Sequence, residues 1–237
     1  MAERVRIELD GPVVRLVLDH PPLNIFDLAM RDDLIGALLA VREMGDLRVM
    51  VLAAEGRHFS AGADLSEFGT AASIAEARRI RWDRDPWGLL WDLPIPTIAA
   101  LHGVAVGSGL EMAMLCDLRV ATPTTRLALP ETKLGMLPAA GGTQSLTKAV
   151  GPAEAVPVVA LADEVDPAVA LARGMVSVLA DDADEEAMAI AERLAGLDPS
   201  AMRALKSCLR ASVDLPLDAG LAVERRLARQ VAEGSAN

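Results

Sequence analysis

The first half of the chain switches between two hydrophobic periods. Val5 to Leu9 and Val13 to Leu18 alternate apolar with polar positions and are split by Gly11-Pro12, which predicts a hairpin. Asp27 to Met44 places Leu34, Ile35, Leu38 and Leu39 on one face at helical spacing. Val49 to Ala53 is a short apolar run bounded by Glu55-Gly56, the pattern of a buried strand. After the loop GRHFSAGADLSEF, a polar, Arg-rich stretch from Ser73 to Trp91 predicts a helix. Thr97 to Leu101 is a second buried strand, ended by His102-Gly103, and VAVGSGLEMAMLCD turns on Gly107-Ser108-Gly109 into a helix. Leu118 to Ala121 and Arg126 to Leu129 read as short strands, with LPETKLGMLPAAGGTQ as a loop. From Gly142 onward the pattern is helical, with one strand at Val176 to Leu179. One α/β core with a helical C-terminal region fits this order.

Composition narrows the picture. At 237 residues the chain can bury a core without staples. Aromatics are 3% and tyrosine is absent, so the core is built from Ala, Val, Leu, Ile and Met. A formal net charge of −11 argues against nucleic acid, which needs clustered Lys and Arg. Cys116 and Cys208 form no CxxC pattern, which suits a reducing, cytoplasmic setting. His20, His58 and His102 lack metal-ligand spacing. MAERVRIELD reads as neither a signal nor a transit peptide. The uncharged stretch Leu93 to Leu110 is broken by prolines and glycines, so it reads as strand, turn and helix start, and no membrane association is expected.

Three places could carry chemistry. Phe59 to Asp64 follows a buried strand, and its small residues let a ligand approach the backbone. Asp64 followed by Glu67 resembles a capping box, and N–H groups at such a helix start can hold an oxygen anion. An empty strand-to-helix turn would look the same. Gly107-Ser108-Gly109-Leu110-Glu111 is a second glycine-rich helix start. Glu111 stands in an apolar stretch, where burial would raise its pKa, although it could instead face the surface. In the third, Pro130 fixes the backbone ahead of Glu131 in a glycine-rich loop, where Glu131 could simply pair with Lys133. Neither GxSxG nor GxGxxG is satisfied. Two backbone anion holes and two carboxylates suit a reaction that builds charge on a carbonyl oxygen and moves protons at a neighbouring carbon.

In order, GRHFSAGADL, AALHGVAVGSGLEMAMLCDLRVA and LPETKLGMLPAAGGTQSL resemble the enoyl-CoA hydratase/isomerase (crotonase) superfamily, as do DHPPLNIFD and DPAVALARGMV. The resemblance implies a crotonase-type α/β spiral of repeated ββα units over residues 1–180. It implies a helical region over residues 181–237 that builds a homotrimer or a dimer of trimers. It implies an acyl-CoA thioester as substrate, with no cofactor beyond the coenzyme A that the substrate carries. The thioester oxygen would accept from the backbone N–H groups of Ala63 and Ser108, with Ala61, Gly62, Asp64 and Gly107 bordering the substrate. Glu111 and Glu131 match the two glutamates that flank a water in hydratases, which implies hydration of trans-2-enoyl-CoA to 3-hydroxyacyl-CoA. The alternatives are an isomerase with Glu131 as sole base and a non-catalytic acyl-CoA-binding protein. The chain departs from the family pattern at Ser108, which is usually Gly. DHPPLN lacks a basic residue before LN, and the chain ends at VAEGSAN, before a last helix that many members carry.

Overall fold

The computed structural model describes residues 3–67, 73 and 83–234. The hairpin forms as expected: β1 (Val5–Asp10) pairs antiparallel with β2 (Val13–Leu18). From β2 onward the main sheet is parallel, through β3 (Val49–Ala54), β4 (Thr97–Leu101), β6 (Leu118–Ala121) and β8 (Val178–Leu179). A smaller sheet pairs β5 (Val104–Val106) with β7 (Arg126–Ala128). The helices are α1 (Leu28–Glu43), α2 (Pro86–Trp91), α3 (Ser108–Met114), α4 (Gly142–Val150), α5 (Pro152–Ala160), α6 (Pro167–Ala172), α7 (Ala183–Ala195), α8 (Pro199–Asp214) and α9 (Leu217–Gly234). The strand β5 was not expected. The predicted helix over Ser73 to Trp91 falls largely outside the described residues, and α2 is its described end.

Every residue of β3 and β4 is buried, because a parallel sheet is covered on both faces. Alternation sorts their side chains. Met50, Leu52, Ala99 and Leu101 face the larger core with α1 and α3, whereas Val49, Val51, Ile98 and Ala100 face the other side. That second face is closed by Ala183, Ala187, Ala191 and Ala195 of α7, a stripe at every fourth position. So α7 lies within residues 181–237 yet is a core element, because its alanines let it sit close on the sheet. The remaining two helices differ. In α8 only Lys206 is buried, α9 has no buried residue, and the two pack against each other.

Side chains fix the start of α1. Asp27 accepts from Met30 N–H, and the Leu28 N–H donates to Glu67 Oε1 at 2.9 Å. The capping box expected at Asp64 and Glu67 therefore does not form. Glu67 is drawn to the start of α1, the Asp64 N–H goes to Phe26 O, and only a 3₁₀ turn (Leu65–Glu67) follows.

Candidate active site

The loop from His58 to Asp64 is knitted into structure on both sides. Phe59 and Ser60 donate to His102 O and Val104 O, the Ala61 N–H donates to Leu23 O, and Gly62 O accepts from Phe26. Ser60 is fully buried. Its hydroxyl donates to Asn24 O at 2.7 Å and accepts from the Gly62 N–H at 3.1 Å. After this accounting the Ala63 N–H has no acceptor among the described residues. The Ser108 N–H, first in α3, is likewise left over. The two segments meet through glycine. A Cβ on Gly62 (φ +96°) would lie 3.0 Å from Val106 O and 3.6 Å from Ser108 N, so no side chain fits between them. Gly107 takes the positive φ (+53°) that starts α3, while Ser108 is not among the residues with positive φ. A Cβ at Ser108 therefore costs no backbone strain.

Both glutamates face the same cavity, of about 780 Å³, which Ala61, Gly62, Ala63, Gly107 and Ser108 also line. Asp64 does not line it, since its carboxylate accepts from the N–H and hydroxyl of Ser66 at 2.9 and 2.7 Å. Glu111 is 2% exposed, which removes the surface-facing reading. Its Oε1 accepts from Ala140 N and Gly142 N, both at 2.9 Å. Burial raises its pKa, opposed by those two N–H groups, the Ser108 side chain and the charge of Arg31. Glu131 sits in a 3₁₀ turn (Glu131–Leu134), closed by Gly135 in the left-handed conformation. It does not pair with Lys133, whose Nζ donates to Ala162 O at 2.7 Å. Glu131 Oε1 lies 3.0 Å from where a Gly107 Cβ would be, and its Oε2 is buried with no hydrogen-bond partner. Burial first, and the charge of Glu111 in addition, push its carboxyl up to about 7, against a pull from its own backbone N–H. One carboxylate suited to holding a negative charge and one suited to keeping a proton thus share a cavity with two free N–H donors.

A sequence profile of the enoyl-CoA hydratase/isomerase family covers residues 8–235. The chain belongs to the enoyl-CoA hydratase/isomerase family. A probable enoyl-CoA hydratase of Mycobacterium tuberculosis is 34% identical over 228 residues, covering 95% of this chain and 88% of the relative. The 2,3-dehydroadipyl-CoA hydratase of Escherichia coli is 37% identical over 221 residues, 91% of this chain and 85% of the relative. Among solved structures, the enoyl-CoA hydratase of Bacillus anthracis superposes with a TM-score of 0.91 at 29% identity, over 97% of this chain and 91% of that one. The mixed α/β core and helical C-terminal region are those of the crotonase fold.

Sequence reasoning missed several residues that this family member places at the cavity. The N–H groups of Ala140 and Gly142 fix Glu111, and the pair Gly141-Gly142 ahead of a helix was the available signal. Lys206 and Arg210 of α8 line the wall without a local signal, beside Trp87 and Trp91 of α2, which stand in the segment Ser73 to Trp91 that the sequence reading set along an acyl tunnel. Trp87 donates from its indole to Ser108 O at 3.3 Å, packs on Phe26 at 5.3 Å, and lies under the guanidinium of Arg31 at 5.3 Å. Cys116 is buried and its thiol is pushed up to about 12, which makes it a packing residue and not a nucleophile. Among the described residues no His, Cys, Asp and Glu cluster could hold a metal, and no helix is long and apolar enough to cross a membrane.

Proposed function

We propose that the chain hydrates trans-2-enoyl-CoA thioesters to 3-hydroxyacyl-CoA. The observation that carries this reading is the pairing of two unlike carboxylates, Glu111 and Glu131, opposite two backbone N–H groups without acceptors. Relatives named as hydratases, at 34 and 37% identity, support the reaction class. In this mechanism the Ala63 and Ser108 N–H groups hold the thioester oxygen as it gains charge. Losing one such donor costs about 3 kcal/mol of transition-state stabilisation. Glu111, kept ionised by its two N–H partners, orients water and takes its proton as oxygen attacks the β carbon. Glu131, which holds a proton up to about pH 7, delivers it to the α carbon. Coenzyme A enters and leaves as part of the substrate.

The test is loss of ultraviolet enone absorbance with crotonyl-CoA. Turnover supports the proposal. A product with a shifted double bond would favour an isomerase using Glu131 alone, and no turnover with retained binding would favour a non-catalytic acyl-CoA-binding protein.

Assembly is part of the same reading. Leu205, Leu209, Val213 and Leu217 are exposed on α8 and α9, and Leu217 reaches 79%. Surplus apolar surface of this kind marks an interface. A homotrimer or a dimer of trimers is expected in light scattering at micromolar concentration, and a monomer counts against it.

A further inference from the structure

Holding a thioester oxygen takes only a backbone N–H at position 108, and a glycine would supply it. Ser108 adds a hydroxyl. The residue is half-buried and lines the same cavity as Glu111, so its side chain opens onto the site. The two residues stand three apart in the first turn of α3, a spacing that sets side chains on one face with Cβ atoms about 5–6 Å apart. The backbone of Ser108 is fixed on both sides. Gly107 turns the chain into the helix, and the Trp87 indole donates to Ser108 O at 3.3 Å. Its hydroxyl is spent on no backbone carbonyl among the described residues.

Glu111 has an oxygen to spare. Oε1 takes both N–H bonds, from Ala140 and Gly142 at 2.9 Å, and the Gly142 backbone closes that side so tightly that a Cβ there would lie 2.9 Å from Oε1. Oε2 accepts from no backbone N–H among the described residues. Two charged side chains act on this carboxylate through space, Arg31 of α1 and Glu131 of the 3₁₀ turn. Of the other elements packed on α3, β5 (Val104–Val106) carries no charge, and Lys148 of α4 pairs with Asp214. The Ser108 side chain is the one that acts on Glu111 by hydrogen bonding, and it favours the charged form against burial.

We propose that the Ser108 hydroxyl donates to the open oxygen of Glu111, which makes Ser108 a positioning residue as well as half of the thioester clamp. The inference rests on the hydratase reading above and adds a role to one of its residues. The N–H holds the electrophile and the side chain holds the base, so the covalent geometry of one residue sets their separation. A carboxylate oxygen has two lone pairs. A hydroxyl on one stops the group from turning and leaves the other for the attacking water.

The experiment is the pH profile of kcat/KM for crotonyl-CoA in Ser108→Ala, which removes the hydroxyl and keeps the N–H. Losing a donor to the charged form raises the pKa of Glu111, so the acid limb should move to higher pH. A shift of about 0.5–1 unit is expected, read as a loss of about three- to tenfold on that limb beyond any loss on the plateau. Ser108→Gly should move the limb in the same way and serves if Ser108→Ala melts early, while Ser108→Thr should restore it. A limb that stays in place in a folded variant without the hydroxyl overturns the inference, as does a loss that is uniform across pH. If crotonyl-CoA is not hydrated at all, the hydratase reading fails by itself. The titration of Glu111 is then followed directly by carbon-13 NMR of side-chain carboxyl-labelled glutamate, with Glu111→Gln to assign the signal. A higher midpoint in Ser108→Ala than in wild type supports the inference, and an equal midpoint overturns it.

Discussion

Glu111 grows from the first turn of a helix buried along its length, and two backbone N–H groups grip one of its oxygens. Glu131 stands in a 3₁₀ turn between loops, and one of its oxygens is buried without a partner. Both carboxyls are pushed up by burial, opposed at Glu111 by the N–H groups of Ala140 and Gly142 and at Glu131 only by its own backbone N–H. The difference teaches how one fold sets an acid beside a base. Donors aimed at a carboxylate favour its charged form, while burial with less to oppose it favours the protonated one.

The strongest test of that contrast removes each carboxylate while preserving its shape. Glu111→Gln and Glu131→Gln should each lower kcat for crotonyl-CoA by roughly 10²–10⁴-fold with unchanged melting. Near-normal turnover in either variant would remove that residue from the mechanism.

A smaller effect is expected at Gly142. A Cβ there would lie 2.9 Å from Glu111 Cγ, Glu111 Oε1 and Pro138 Cβ. Gly142→Ala should displace the carboxylate and cost about 10²-fold in kcat/KM, with about 1–3 kcal/mol lost from overpacking. Gly135→Ala, beside Glu131, meets no neighbour within 4 Å and carries only the strain of its φ of +72°, so its effect on kcat/KM should be clearly the lesser. Equal losses in the two variants would erase the distinction between a gripped and an ungripped carboxylate.

The smallest effect is on pH. Glu131 must be protonated to act as an acid, so kcat/KM should fall as pH rises through about 7. Glu111 must be ionised to act as a base, so an acid limb should appear above the ordinary carboxylate range. Because the charge of Glu111 raises Glu131, residual activity in Glu111→Gln should lose its alkaline limb at lower pH. A profile flat on the alkaline side would contradict the assignment.

Local periodicity made most of the fold legible. The β1–β2 hairpin, α1, β3 and β4 lie within a residue of their expected limits, because each buries a regular pattern. Val104–Val106 was read as part of a turn because three residues between glycines carry no period, and its pairing with β7 is a long-range fact. The same limit applies at the site. The sequence pointed to Glu111 and Glu131, but whether Lys133 or Glu67 would bond nearby depended on Ala162 and Leu28, which no local motif names. Arg210 reads as one more basic residue on an amphipathic helix. Only the fold sets it over Trp91 and beside an Asp117 that is already engaged. Likewise α7 and α8 look alike in sequence, and packing alone separates the alanine-striped core helix from the exposed one.

The indole bond from Trp87 to the carbonyl of Ser108 also makes the site visible to light. The chain has three tryptophans and no tyrosine, so its near-ultraviolet emission comes almost wholly from indoles. Two of them, Trp87 and Trp91, stand on the cavity wall, one tied to the helix start that offers the Ser108 N–H and the other beneath Arg210. Emission is therefore a label-free gauge of occupancy. A ligand that fills the cavity from Trp87 to Trp91 is expected to shift the emission of both.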